Sequence, residues 1–230
     1  MTLLRLERTI LRTVDGHGHA WAHVRDDNLL IGVDTLAAHN PLGTRVVAWS
    51  GWLGPEPARL DGLAQTPTPR DPRTWGPAGW SGLQAAVDRV IGAWMGAGTL
   101  LLRPHARHAL SDAQRCLTLL RQREGQPIGL VLDPASMLEP SMLPHAEDHL
   151  TRMLGALGDH PMVAAVVVAN VRTIDGDDGS ALAAAPLDEG LVPRGLVERL
   201  TAKLVRAEIP RVVLAGDEMA AVDGTGPGAT

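Results

Sequence analysis

The sequence contains no phenylalanine and no tyrosine, so six tryptophans carry all of its aromatic packing beside Leu, Val, Ala and Met. Its single cysteine, Cys116, excludes an intramolecular disulfide framework and suits a reducing compartment. No stretch approaches the roughly 18 uninterrupted apolar residues of a membrane-spanning helix. The opening residues, with charges at Arg5, Glu7 and Arg8, lack the apolar core of a signal peptide. Positive charge is not in excess: Lys and Arg number 21 against 26 Asp and Glu, a net charge of −5. That balance gives no general attraction to nucleic acid or to an anionic membrane. Neither a G-x-G-x-x-G nor a Walker A loop follows any apolar run, which argues against a nucleotide-binding fold. The expectation is a cytoplasmic protein with no nucleic-acid and no membrane partner.

What is present is ordinary for a globular chain: 230 residues, 45% apolar and 20% charged, enough for one large domain with a sizeable core. Residues 3–35 read as a β-rich hairpin or meander within a β-rich N-terminal part, 1–44. Strand-like runs lie at Thr9–Val14, Ala20–Val24 and Leu29–Val33, with turns at Asp15-Gly16 and Asp26–Asn28. Six prolines crowd residues 51–79, which reads as a long loop. From Ser81 the pattern is regular. Helical stripes (Leu83, Val87, Val90, Trp94; Cys116, Leu120; Leu150, Met153, Leu154, Leu157; Leu196, Val197, Leu200, Leu204) alternate with apolar runs near 99, 128, 163 and 211. Ser81 with Gln84, and Ser111 with Gln114, have capping-box spacing. Asp175–Ser180 reads as a polar loop, and 223–230 as a disordered tail.

Together with the run at Arg45–Trp49, these apolar segments predict parallel strands covered by helices. The predicted fold is α/β: a parallel β/α barrel of the TIM type over residues 1–222, incomplete or irregular at its N-terminal strands. The segment around Ile128–Leu150 organises it, an apolar strand that ends on Asp133 and leads through a loop into a helix. In β/α folds the C-terminal strand ends carry the chemistry. Here those ends offer Arg103 and His105, Asp133, Asn170 and Arg172, and then Asp217 and Glu218. Such a rim could bind a small polar molecule or a divalent metal. The plainer alternative for Asp133 is that it caps its own loop, since Asp-Pro starts turns. For His105 and His108 it is that they are ordinary loop histidines.

Two other histidine pairs have metal-like spacing. His17 and His19 stand at i and i+2, and the phrase Asp15–His19 resembles the first-strand H-x-H of amidohydrolase-like metal hydrolases. His145 and His149 stand at i and i+4, but Ala146 occupies the place of the Glu in H-E-x-x-H. Glu147 and Asp148 there suit a helix N-terminus. Cys116 lies on an apolar helical stripe and reads as core.

From Ser81 to Glu218 the order of elements resembles the C-terminal portion of xylose-isomerase-like barrels, the sugar-phosphate isomerase/epimerase superfamily. Thr99–His105 resembles a strand that ends in Glu in that family. Gly129–Pro134 resembles the next strand, ending in a metal-binding Asp at Asp133. Pro186–Val192 resembles the segment before the last helix, and Val212–Leu214 the final strand. The resemblance implies a divalent metal held by Glu, Asp, His and Glu from four strand ends, and proton transfer between adjacent carbons. At the first Glu position stands Arg103. Val166–Asn170 contains no His, and Ala215 and Gly216 follow the final strand, with Glu218 later. Arg103 would repel a bound cation and could instead pair with Asp133 as a structural salt bridge.

Three readings follow. In the first, the chain is a relative of sugar or sugar-phosphate isomerases and epimerases acting on a small polar substrate. Asp133, His105 and Glu218 are then catalytic, Arg103, Asn170, Arg172 and Asp217 bind substrate, and Asp133 is a ligand to a divalent metal. In the second, it is a barrel-derived binding or interaction protein that has lost the metal site. In the third, it is a metal-dependent hydrolase using His17 and His19.

Overall fold

The apolar runs and the β-rich N-terminal part close on one another in the computed structural model, which describes residues 2–7, 10–13, 20–39, 41, 43–54, 70–176 and 179–213. In chain order the elements begin with β1 (Leu3–Glu7), β2 (Ile10–Thr13), β3 (Ala22–Asn28), α1 (Val33–Ala38) and β4 (Arg45–Trp49). Next come α2 (Pro72–Trp75), α3 (Pro77–Trp94), β5 (Thr99–Arg103), α4 (Ala113–Gln122) and β6 (Ile128–Leu132). The chain continues through α5 (Ala146–Leu157), β7 (Val163–Val168), β8 (Asn170–Gly176), β9 (Gly179–Ala185), α6 (Arg194–Leu204) and β10 (Arg211–Val213). Eight strands form a closed barrel in the order β1-β10-β7-β6-β5-β4-β3-β2, and β8 and β9 pair apart from it.

Every neighbouring pair from β1 through β10 round to β3 is parallel; β2 alone is antiparallel to both its neighbours. The fold class is thus the expected one, an α/β barrel irregular at its N-terminal strands. The reversal follows from connection length. β1 and β2 are too close in sequence for a crossover helix, so they pair as a hairpin. The central strands β4 to β7 are almost wholly buried because helices cover their outer face, which is why their sequences are continuously apolar. The helical stripes face this sheet, with Leu83, Val87, Val90 and Trp94 of α3 and Leu150, Leu154 and Leu157 of α5 all buried. Among the described residues no helix is long and apolar enough to cross a membrane.

Five local expectations are corrected. Leu29–Val33 is not a strand: the chain turns at 29–32, and Asp26–Asn28 belongs to β3. Gly32 N and Ile31 N both return to the Asn28 carbonyl, which ends the strand. The Pro-rich stretch 51–79 is helical in its last part, because Pro72 and Pro77 occupy the first helical position, where a missing N–H costs nothing. Asp71 caps α2 through Arg73 N, at 2.9 Å, and α3 begins at Pro77 after Gly76, so Ser81 lies inside α3 rather than at its start. At α4 the cap is Asp112, which accepts from Arg115 N at 2.8 Å, and not Ser111. Of the expected loop 175–180, Asp175 and Gly176 belong to β8 and Gly179 and Ser180 to β9, whose antiparallel register runs from Asn170↔Ala185 to Gly176↔Gly179.

Candidate functional site at the strand ends

Parallel register brings the C-terminal ends of β4, β5 and β6 together. Trp49 pairs with Arg103, and Leu102 with Leu130, so Arg103 emerges beside Trp49 and next to the strand that ends at Asp133. Its guanidinium lies on the Asp133 carboxylate: Nε donates to Oδ2 at 2.9 Å, and Nη2 donates to the same oxygen. Ser136 completes the carboxylate's surroundings, its Oγ donating to Oδ2 at 2.6 Å and its N to Oδ1 at 3.1 Å. Arg103 Nη2 also reaches Ser136 Oγ at 3.3 Å. Arg103 Cζ lies over the Trp49 ring, 4.1 Å from its centroid, a cation–π contact in a desolvated place. Arg103 is 2% exposed and Asp133 0%. This rim is closed.

Above the pair sits a cluster of rings. His105 and His108 lie 4.5 Å apart, His108 stacks on Trp52 at 4.8 Å, and Trp49 meets both imidazoles edge-on. His105 Nδ1 accepts the Arg107 N–H at 3.0 Å, so its neutral tautomer carries the proton on Nε2. Burial pushes the His105 pKa down to about 3, helped by the positive charges of Arg103 and Arg107 and opposed by Asp133. Burial likewise holds His108 well below its ordinary value, with His105 and Arg103 adding to the effect. Both are neutral residents of the core at any ordinary pH. Arg107, itself 3% exposed, approaches Glu139 at 3.5 Å, and Glu139 in turn takes Arg70 at 2.6 Å.

The loops bearing these groups are tied to one another. Ser50 N donates to Arg103 O at 3.1 Å, Ala106 N to Ser136 O at 3.0 Å and Ala109 N to Gly51 O at 2.8 Å. Asn28 fixes the turn after β4 with both ends of its amide: Nδ2 donates to Trp52 O, while Oδ1 accepts from Trp52 N and Leu30 N. Gly51 has φ +86°, and a Cβ there would stand 2.6 Å from Asn28 Oδ1, so the position excludes a side chain.

The remaining sequence candidates fall elsewhere. Asn170, expected to bind substrate, is used structurally: Nδ2 donates to Leu187 O (2.9 Å) and Val192 O (2.6 Å), and Oδ1 accepts from Val171 N and Val192 N. Nothing of that amide is left for a ligand, and Gly190 packs so closely that a Cβ would lie 1.9 Å from Asn170 Cγ. Arg172 is exposed on the β8–β9 hairpin and does not join the buried group around Arg103. His17, His19, Asp217 and Glu218 lie outside the described residues. His145 and Glu147 border an open groove of ≈ 600 Å³ between the first turns of α5 and α6. Glu147 already pairs with Arg199 and Asp148 with Arg152. Cys116 is buried, and burial raises its thiol pKa well above the usual range, so it is inert.

A divalent metal at Asp133 fails on chemistry. Both carboxylate oxygens are hydrogen-bonded and a guanidinium covers one of them. Among the described residues no three His, Cys, Asp or Glu side chains converge. The residues at Asp133 do not fit a metal ion. Sequence reading anticipated Arg103 against Asp133 but missed Ser136, Trp49 and Asn28. Ser136 was within reach, because an Asp followed three residues on by Ser suits a side-chain-to-backbone turn.

No protein-family model matches this sequence, and no curated protein matches it. Among solved structures it is similar to a xylose isomerase-like TIM barrel protein from Mycobacterium smegmatis, crystallised in complex with magnesium. The two share 14% sequence identity with a TM-score of 0.45, over 80% of this chain and 58% of the other. The chain therefore spans less than two thirds of that protein's length.

Proposed function

We propose that this chain is a barrel-derived binding or interaction protein that works without a divalent metal at its strand ends. The observation that carries the reading is the Arg103 guanidinium seated on the buried Asp133 carboxylate. Using Asp133 as a general base or a metal ligand would first require breaking a buried ion pair. That costs about 3–5 kcal/mol, roughly two to four powers of ten in rate if spent on the way to a transition state. The isomerase or epimerase reading also needs a second carboxylate to pass the proton. Glu139, six residues on from Asp133, is shared by Arg70 and Arg107. His105 is a poor general base, since its lone pair at Nδ1 already accepts a backbone N–H and burial opposes its protonation.

Metal analysis of the purified full chain, with isomerisation assays on sugars and sugar phosphates in the presence and absence of chelator, tests this. The expected result is no stoichiometric divalent metal, no change in melting temperature on chelation and no turnover. Stoichiometric metal that disappears in Asp133→Ala would restore the isomerase reading. Metal that disappears only in His17→Ala would move the assignment to a hydrolase.

A further inference from the structure

Asp133 remains a carboxylate buried at the end of a barrel strand, held by Ser136 N and Ser136 Oγ, and the guanidinium it binds lies over the Trp49 ring. A buried carboxylate demands a cation. We infer that Asp133, Ser136 and Trp49 form a cation site whose occupant is Arg103 itself, shaped for a planar guanidinium rather than a metal ion. The inference rests on the metal-independent reading above and gives that site its ligand class.

The selectivity follows from the groups present. Magnesium and calcium ask for six or more oxygen ligands, and zinc for about four N, S or O ligands. Among the described residues no three His, Cys, Asp or Glu side chains converge here, and the nearby His105 has its Nδ1 committed to Arg107 N. A guanidinium, by contrast, is recognised on its edge and on its face. Here Nε and Nη2 both donate to Asp133 Oδ2 and Nη2 also to Ser136 Oγ, while Cζ lies over the Trp49 ring, 4.1 Å from its centroid. An ammonium could use the carboxylate but would lose the forked edge and most of the stacking. Arg103 reaches this place from the neighbouring parallel strand, so cutting its side chain back to Cβ removes an ethylguanidinium and leaves a cavity of that shape over an uncompensated carboxylate.

The test is chemical rescue of Arg103→Ala, followed by thermal melting. Ethylguanidinium at millimolar concentration should raise the melting temperature of the variant saturably and by several degrees, leaving wild type unchanged. Ethylammonium should do less, and magnesium or manganese nothing. The double variant R103A/D133N should show no rescue. If Arg103→Ala does not fold unaided, the same series is read as refolding yield, with Arg103→Gln as a second variant. No recovery in either variant overturns the inference, as does equal rescue of the double variant. Rescue by manganese matching that by ethylguanidinium also overturns it, since the carboxylate would then be a metal site that an arginine blocks. Failure of the underlying reading looks different: wild-type protein would itself carry stoichiometric metal, lost on Asp133→Asn.

Discussion

Replacing Asp133 by Asn removes the carboxylate that Arg103 Nε and Nη2 both bind while keeping the side chain's size. Arg103 is 2% exposed, so no water can replace the lost charge without opening the rim. Stranding one partner of a buried pair costs about 3–5 kcal/mol. Set against the 5–15 kcal/mol that holds a typical domain together, that is a large fraction. For a chain of this length each kcal/mol moves the melting temperature by about 2–4 °C, so the expected drop is about 6–20 °C. Urea unfolding gives the free energy directly, provided that the slope with denaturant stays constant. The control is R103M/D133L, in which apolar groups of similar shape replace both charges. Because such swaps are often neutral, the double variant should recover most of the loss. The pair should also resist salt, since buried charges are screened far less than exposed ones. A loss below about 1 kcal/mol for Asp133→Asn, or single and double variants that add within about 0.5 kcal/mol, would refute the account of a desolvated, coupled pair.

The acid limb of stability offers a second check. His105 is neutral in the fold down to about pH 3, whereas its unfolded imidazole titrates near 6.5. As pH falls below 6.5 the unfolded chain takes up a proton that the folded chain refuses, so stability is complete above that value and declines toward pH 3. The slope is about 1.4 kcal/mol per pH unit for each such histidine. His105→Asn, which can keep an acceptor near the Nδ1 position, should reduce the slope between about pH 6 and about pH 4 by that amount; urea midpoints across this range that fall as steeply as in wild type would count against it. The third check separates two strand-end residues that sequence alone could not distinguish. Asn170→Ala removes the bonds to Val171 N, Val192 N, Leu187 O and Val192 O and should cost about 2–4 kcal/mol, while the exposed Arg172→Ala should stay within about 0.5 kcal/mol. Melting curves of the two variants decide it, and comparable losses would show that the Asn170 bonds do not bear on stability.

The barrel was legible because its parallel strands must be apolar on both faces. The runs at Arg45–Trp49, Ile128–Leu132 and Val163–Val168 have no other economical use in a chain of this kind. The β8–β9 hairpin was not legible, since Ala181–Ala185 carries almost no β-propensity and its strand status comes from pairing with Val171–Ile174. At the rim, the opposition of Arg103 and Asp133 could be read from strand ends alone. The uses of Asn28 and Asn170 could not. Each binds backbone groups 17 to 24 positions away, a relation that no local pattern encodes.

The same bonds that close the rim also limit what it can do. Catalytic barrels place chemistry on strand-end loops because such loops can open to substrate and close over it. Here the loop after β4 is pinned by Asn28 and bonds to β5 at Ser50 N and Arg103 O. The loop after β5 bonds on either side, through Ala109 N to Gly51 O and Ala106 N to Ser136 O. Opening one therefore strains its neighbours, and a segment so coupled belongs to the high-stability end of local unfolding. Beneath it the ion pair would lose its low-dielectric surroundings on any opening. A site that must exclude water to stay intact is badly placed to exchange substrate. Arg103 and Asp133 thus act as a keystone for the loops that follow β4, β5 and β6.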